Sequence, residues 1–185
     1  MRFNSPAHLN LWEETGQFPA IHANVVAIAK IKLANYRGID LCCSHGLLGT
    51  QLVEQGFDML GIDGDNTAIT ASRVAGVSMP IHKLKVTKKT FEEVKSVIAM
   101  HKTEFIVARR CLPELFGEDL EFGQYFFKTM RELWVHEIIL EGRVKTPNAT
   151  NHLSSIEREI ELLSPYYSLH TKQGNVAYLR SNESL

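Results

Sequence analysis

Gly38-Ile39-Asp40-Leu41-Cys42-Cys43-Ser44-His45-Gly46-Leu47-Leu48-Gly49 is the stretch that decides how this chain folds. It reads as a buried strand, a tight turn of small residues and the first turn of a helix. Met59-Leu60-Gly61-Ile62 follows as a second apolar strand and ends in Asp63-Gly64-Asp65. A turn at a helix N-terminus with an acid roughly 20 residues downstream is how α/β proteins hold a nucleoside-containing cofactor. The helix end offers backbone N–H groups, and the acid accepts from ribose hydroxyls.

Working outward, residues 7–15 and 20–35 read as helices, with Gly16 and Pro19 breaking between them. The first strand is expected over 37–42 and its helix over 46–56, stopped by Gly56. The second strand covers 59–63. Asp65 or Asn66 then caps a helix over 67–75, ended by Gly76. Pro80-Ile81-His82-Lys83-Leu84-Lys85-Val86 alternates apolar and polar residues, which predicts a strand near the sheet edge. Thr90-Phe91-Glu92-Glu93 reads as a capping box that opens a helix over 91–101.

Phe105-Ile106-Val107-Ala108 is the fourth strand. A helix over 119–134 follows, with Phe122, Phe126, Met130 and Leu133 on one face. Glu137-Ile138-Ile139-Leu140-Glu141 is the fifth strand, and Ser154-Ser155-Ile156-Glu157 caps a helix that Pro165 ends. Tyr167–Thr171 and Val176–Arg180, joined through Gln173-Gly174-Asn175, read as a hairpin. Strands alternating with helices make an α/β protein: a doubly wound, mostly parallel sheet with helices on both faces and a C-terminal antiparallel hairpin.

Both the turn and this order of elements resemble the class I S-adenosylmethionine-dependent methyltransferases, over nearly the whole chain. That family's first motif is Asp/Glu-x-Gly-x-Gly-x-Gly. Here Asp40 matches the acid and Gly46 the third glycine, while Cys42 and Ser44 stand where the first two glycines sit. Both are small, but neither has glycine's freedom at positive φ. Asp63 matches the family's ribose-binding acid. The resemblance implies a seven-stranded Rossmann-like sheet, S-adenosylmethionine as cofactor and methyl transfer as activity.

It also implies roles for individual residues. Asp40 and the backbone of Cys42, Cys43, Ser44, His45 and Gly46 would face the methionine part of the cofactor. Asp63 and Gly64 would take the ribose, Val86 and Thr87 would flank the adenine, and Ala108 and Arg109 would close the pocket. Residues 1–36 would form a helical lid, carrying Trp12, Phe18 and His22, over a single domain whose binding core is 37–185, or else pack as helices against the sheet.

Two other readings start from the same residues. Ser44-His45-Gly46-Leu47-Leu48-Gly49 fits the dinucleotide fingerprint Gly-x-Gly-x-x-Gly with its first glycine lost. Asp40 weighs against this, because a carboxylate at the mouth of the turn repels a pyrophosphate and welcomes a sulfonium or ammonium group. Alternatively, Cys42, Ser44 and the lack of an acid near Val86 suit a methyltransferase fold that serves as a binding or interaction module without transfer activity.

Candidates for chemistry cluster at the fourth strand's end, Ala108-Arg109-Arg110-Cys111-Leu112-Pro113. Adjacent Arg109 and Arg110 suit bidentate binding of a carboxylate or phosphate, or else the capping of neighbouring carbonyls. Cys111 is a candidate nucleophile if its thiol pKa is depressed, and a packing residue otherwise. His45 is a candidate base at the rim or a plain first-turn residue. The Asp/Asn-Pro-Pro-aromatic clamp of amino-methylating nucleic-acid enzymes does not occur at this strand end. Methyl transfer needs no dedicated acid or base, since alignment supplies most of the rate.

Composition bounds the partners. A net charge of −1 and a pI near 6.7 weigh against wholesale nucleic-acid or membrane-surface binding. The positive cluster His82, Lys83, Lys85, Lys88 and Lys89 suits either contact with phosphate on RNA, DNA or a nucleotide, or a lysine-protected edge strand, the commoner case. No run approaches the length of a membrane span, and the N-terminus lacks a signal peptide's apolar core. Three cysteines make no disulfide framework and no zinc spacing occurs among the eight histidines, so a reduced, cytoplasmic protein without metal is expected. The acceptor is then a small molecule under the lid or a macromolecule at the rim, and a homodimer is one route to a recognition surface.

Overall fold

Arg37–Leu41 forms β1, the strand around which the sheet is assembled. The computed structural model describes residues 17–33, 36–66, 70, 77–142, 153 and 155–182, with side chains described from residue 22 onward. In chain order the elements are α1 (Gln17–Lys32), β1, α2 (Leu47–Glu54), β2 (Asp58–Asp63), β3 (Ile81–Lys83), a short 3-10 turn (Lys88–Thr90) and α3 (Phe91–His101). They continue with β4 (Phe105–Arg109), α4 (Leu112–Phe116), α5 (Leu120–Glu132), β5 (Glu137–Glu141), α6 (Ile156–Leu163), β6 (Tyr167–Gln173) and β7 (Val176–Ser181).

The seven strands lie in the order β3-β2-β1-β4-β5-β7-β6. The first five are parallel, and β7 is antiparallel to both β5 and β6. The sheet is thus the doubly wound, mostly parallel one expected, with a C-terminal hairpin. The hairpin returns between β5 and β6, so its second strand is interior and its first is the edge.

Alternation along the strands feeds two cores. Ile39, Leu41, Ile106 and Ala108 pack with Val94, Ile98, Phe116, Phe126, Met130 and Leu162, against α3, α4, α5 and α6. Met59, Phe105, Val107, Ile139 and Tyr178 pack with Val25, Ile28, Leu48 and Leu52, against α1 and α2. A sheet covered on both faces has interior strands that are buried nearly throughout, as β1, β2, β4 and β5 are, whereas the edge strands β3 and β6 are mostly exposed.

Several boundaries differ from the sequence reading. Pro19 lies inside the first turn of α1 rather than in a break; there a missing N–H costs nothing, because the first helical amides have no intrahelical acceptor. β3 spans only Ile81–Lys83, and Leu84 and Val86 leave the strand to enter the core. The capping box belongs to Thr87 and Thr90 on the 3-10 turn, while Thr90 makes no side-chain cap for α3. Leu112–Phe116 is a helix that the sequence reading missed, with Pro113 in its first turn. The expected helix over 7–15, most of that over 67–75, and Trp12 and Ser154 lie outside the described residues, as does the Phe18 side chain. No helix among the described residues is long and apolar enough to cross a membrane.

Candidate functional site

β1 and β2 end side by side, with Asp40 opposite Gly61 and Leu41 opposite Ile62. The chain then leaves β1 through three left-handed residues: Cys42 at φ 55, Ser44 at φ 51 and Gly46 at φ 74. These are the three positions at which the motif places glycine. Holding a non-glycine residue there costs roughly 1–2 kcal/mol. Local contacts offset that cost. Cys42 packs against the core, the Cys43 N–H donates to the Ile62 carbonyl at 3.2 Å, and the Gly46 N–H donates to the Cys43 carbonyl at 2.8 Å.

Two carboxylates clamp this turn from below. Asp63 accepts the Ser44 N–H at 2.8 Å through Oδ2 and the Asp65 N–H at 2.8 Å through Oδ1. Each carboxylate oxygen has a second lone pair, which keeps acceptor capacity for a diol. Burial pushes the Asp63 pKa up, against the two backbone bonds that lower it. Asp40 accepts the Gly49 N–H at 3.1 Å and so caps the first turn of α2 from the neighbouring strand. A Cβ on Gly49 would stand 2.1 Å from the Met79 sulfur and 3.2 Å from Asp40 Oδ2, so a side chain there would have to push the Met79 thioether aside. Asp40 is almost fully buried, and burial pushes its pKa up to about 7.

His45 is buried, with Nδ1 2.9 Å from Ser44 Oγ, and burial lowers its pKa against the pull of Asp63 and Asp65. Cys43 is a buried thiol that burial pushes far up. Gly64 lies against Lys85, whose Cβ would be 2.7 Å from a Cβ on that glycine.

The remaining rim residues divide. Val86 points into the core, and Thr87 spends its N–H and its hydroxyl on Thr90. Ala108 is fully buried beneath the β4 end. Cys111 is buried, donates to the Leu41 carbonyl at 3.4 Å and has a pKa raised first by a hydrogen bond with the free Cys42 thiol and then by burial. That is a packing thiol, the opposite of the depressed thiolate a nucleophile requires. Arg109 and Arg110 both turn to Glu141, each donating Nε at 2.7 Å, one to Oε2 and one to Oε1. His22, from α1, lies close enough to Arg109 for that cation, after burial, to help push its pKa down to about 4.

The structure therefore brings Asp40, the turn, Asp63 and Gly64 together at one rim, with Arg109 near Asp40, and with Glu141 and His22 near Arg109. It takes Val86, Thr87 and Cys111 into packing or turn formation. Glu141 was missed as a site residue. Its one signal was an acid at the C-terminal end of a strand that also begins with one, and its partners follow only from the register that sets it opposite Arg109. Among the described residues, no group of three or more His, Cys, Asp or Glu side chains is placed to hold a metal.

No family model and no curated protein sequence matches this chain. Solved structures do. The bifunctional kinase-methyltransferase WbdD superposes with a TM-score of 0.65 at 16% identity, over 98% of this chain and 43% of that one. The chain thus spans about two fifths of the WbdD chains it matches. Magnesium protoporphyrin IX methyltransferase from Synechocystis PCC 6803, with bound S-adenosylmethionine, gives 0.63 at 12% identity, over 97% of this chain and 93% of that one. A TehB-like S-adenosylmethionine-dependent methyltransferase from Corynebacterium glutamicum gives 0.57 at 16% identity, over 96% and 100%. The antiparallel β7 seated between β5 and β6 departs from the all-parallel dinucleotide-binding order. With these neighbours and this strand order, the chain has the fold of the class I S-adenosylmethionine-dependent methyltransferases.

Proposed function

We propose that this chain is an enzyme that transfers a methyl group from S-adenosylmethionine to an acceptor. The observation that carries the reading is the rim itself. Buried Asp40 and Asp63, on adjacent strand ends, flank a turn with three left-handed residues at the motif's glycine positions. Clamped in this way, the turn keeps its backbone close to the rim, where a ligand can approach it.

S-adenosylmethionine, when bound, supplies a methyl group already activated by a sulfonium. The protein's part is to bind and align. Asp63 accepts from the ribose hydroxyls with the lone pairs that Ser44 and Asp65 leave over. Asp40 balances the positive methionine end, and in doing so gives up the proton that burial lets it keep near neutral pH. With Val86 in the core and the Thr87 hydroxyl committed to its turn, neither side chain is left to bond the adenine. Cys42, Cys43 and Cys111 are all free thiols, which suits a reducing, cytoplasmic setting.

Calorimetric titration with S-adenosylmethionine, S-adenosylhomocysteine and NAD tests this. Saturable binding of the first two supports it. Binding of NAD alone, or silence from all three, refutes it in favour of the dinucleotide-binding or interaction-module reading respectively.

A further inference from the structure

Two thiols meet where β1 and β4 end. Leu41, the last residue of β1, lies opposite Ala108 in β4. Cys42 leaves the first strand at φ 55, and Arg110 takes φ 52 just before Cys111 opens α4. Both cysteines come to the same core. There the Cys111 thiol donates to the Leu41 carbonyl at 3.4 Å and lies within hydrogen-bond reach of the Cys42 thiol. Cys43 belongs to the core on the other face of the sheet, so it is on the wrong side to reach Cys111.

The two thiols differ in access. Cys42 is half-buried, and Cys111 is buried. The bond with Cys42, and then burial, hold the proton on Cys111, so an oxidant from solvent meets Cys42 first. Glycine in place of Cys42 would take the left-handed turn without strain and would leave no sulfur at the rim. What cysteine adds at that position is a thiol that faces another thiol.

We propose that Cys42 and Cys111 are a modification site for peroxide, closing reversibly to a disulfide that ties the β1 turn to the start of α4 and weakens cofactor binding. The effect on the cofactor rests on the methyl-transfer reading; the bond itself does not. The Cys42 sulfur, as thiolate, attacks one peroxide oxygen. The O–O bond breaks, and the leaving hydroxide takes up the thiol's proton as water. The Cys111 sulfur then attacks the Cys42 sulfenic sulfur, the S–O bond breaks, and the Cys111 proton leaves with the second water. Two thiols and one peroxide thus give one disulfide and two waters. Contact between the thiols offsets the slow deprotonation of Cys111. Disulfide sulfurs lie about 2 Å apart, closer than any hydrogen-bonded pair. Closure therefore draws Cys42 toward α4 and shifts the backbone that Asp63 clamps through Ser44.

The test treats the full chain with hydrogen peroxide, blocks the remaining thiols and maps unreduced peptides by mass spectrometry, with fragmentation separating Cys42 from Cys43. S-adenosylhomocysteine is titrated by calorimetry into the reduced, the oxidised and the dithiothreitol-treated protein. We expect a Cys42–Cys111 cross-link, and binding about tenfold weaker in the oxidised form, the loss of about one backbone hydrogen bond to the ligand. Dithiothreitol should restore it. Cys111→Ser keeps a hydroxyl for the Leu41 carbonyl. In that variant the Cys42 sulfenic acid has no resolving thiol, so dimedone should trap it there and not in the parent, a difference that mere packing does not produce. The parent's mass spectrum and affinities decide the proposal even if this variant does not fold.

Three results overturn the proposal. These are the absence of the cross-link, with Cys42 carried on to sulfinic acid or left reduced; equal affinity of the reduced and oxidised forms; and a loss of affinity that dithiothreitol does not reverse, which assigns it to sulfinic acid or to methionine oxidation. Failure of the reduced parent to bind S-adenosylhomocysteine refutes the methyl-transfer reading instead, and the effect on the cofactor with it, while the mass spectrum still decides the bond.

Discussion

Asparagine has nearly the shape of aspartate, so Asp40→Asn removes a charge and leaves the volume. In the folded protein the Asp40 carboxyl is buried, and its pKa is pushed up to about 7 from the ordinary 3.8. Burial causes the rise, the Gly49 N–H and Arg109 oppose it, and Asp63 adds to it. Between those two values the folded chain holds a proton that the unfolded chain has released. Stability therefore falls as pH climbs through that window and levels off above it. The full window of about three pKa units is worth on the order of 4 kcal/mol. The part between pH 5 and pH 8 is about 3 kcal/mol.

Asparagine does not titrate, and it keeps an oxygen for the Gly49 N–H. Urea denaturation of parent and variant at pH 5 and pH 8 reads the effect directly. The variant should gain about 3 kcal/mol relative to the parent between the two pH values, a relative melting shift of roughly 6–12 °C for a chain of this size. A stability difference that is the same at both pH values would refute the reasoning, because the buried carboxyl would then be ionised in both. Function should move the other way. If Asp40 balances the cofactor's cationic end, binding at pH 6 expels its proton. Calorimetry in two buffers of different ionisation heat should then detect that release in the parent and not in the variant.

Three more perturbations are expected to give definite results. Trp134 sits at the C-terminus of α5 at φ 68 and is 73% exposed, so Trp134→Gly should raise stability by about 1 kcal/mol, read from the urea midpoint. Asp63→Ala removes the acceptor of the Ser44 and Asp65 N–H groups; it should lower stability and weaken S-adenosylhomocysteine binding by about 1–3 kcal/mol, and unchanged affinity would remove Asp63 from the ribose site. Gly49→Ala forces a methyl against Met79 and should cost about 1–3 kcal/mol, with Met79→Ala recovering at least part of that in a double-mutant cycle and additivity arguing against the contact.

Where a segment's own pattern dictates its state, the sequence was enough. The buried strands and the helix over Phe91–His101 follow from apolar runs and helical spacing that local sterics and burial on both faces enforce. Boundaries strayed where a neighbour took over. Thr87 caps because a 3-10 turn intervenes before α3, and Pro19 is accepted because a helix's first turn needs no donor. At the site, Asp40 and Asp63 were legible from their places at the ends of two apolar strands. Their bonds to Gly49 and Ser44 join residues 9 and 19 positions apart, spacings that no local pattern encodes.

What the chain carried in its sequence alone was the alternation of strands and helices, the small-residue turn after β1 and the acids that bracket it, because each depends on contacts within a few residues. Only the tertiary structure decided that β7 enters between β5 and β6, and that Cys42 and Ser44 take the left-handed conformations expected of glycine. It also decided that Glu141 holds both arginines while Cys111 turns inward to Leu41. Those outcomes depend on strand register and on burial by segments far apart in the chain, and both are set only once the sheet has closed its two cores.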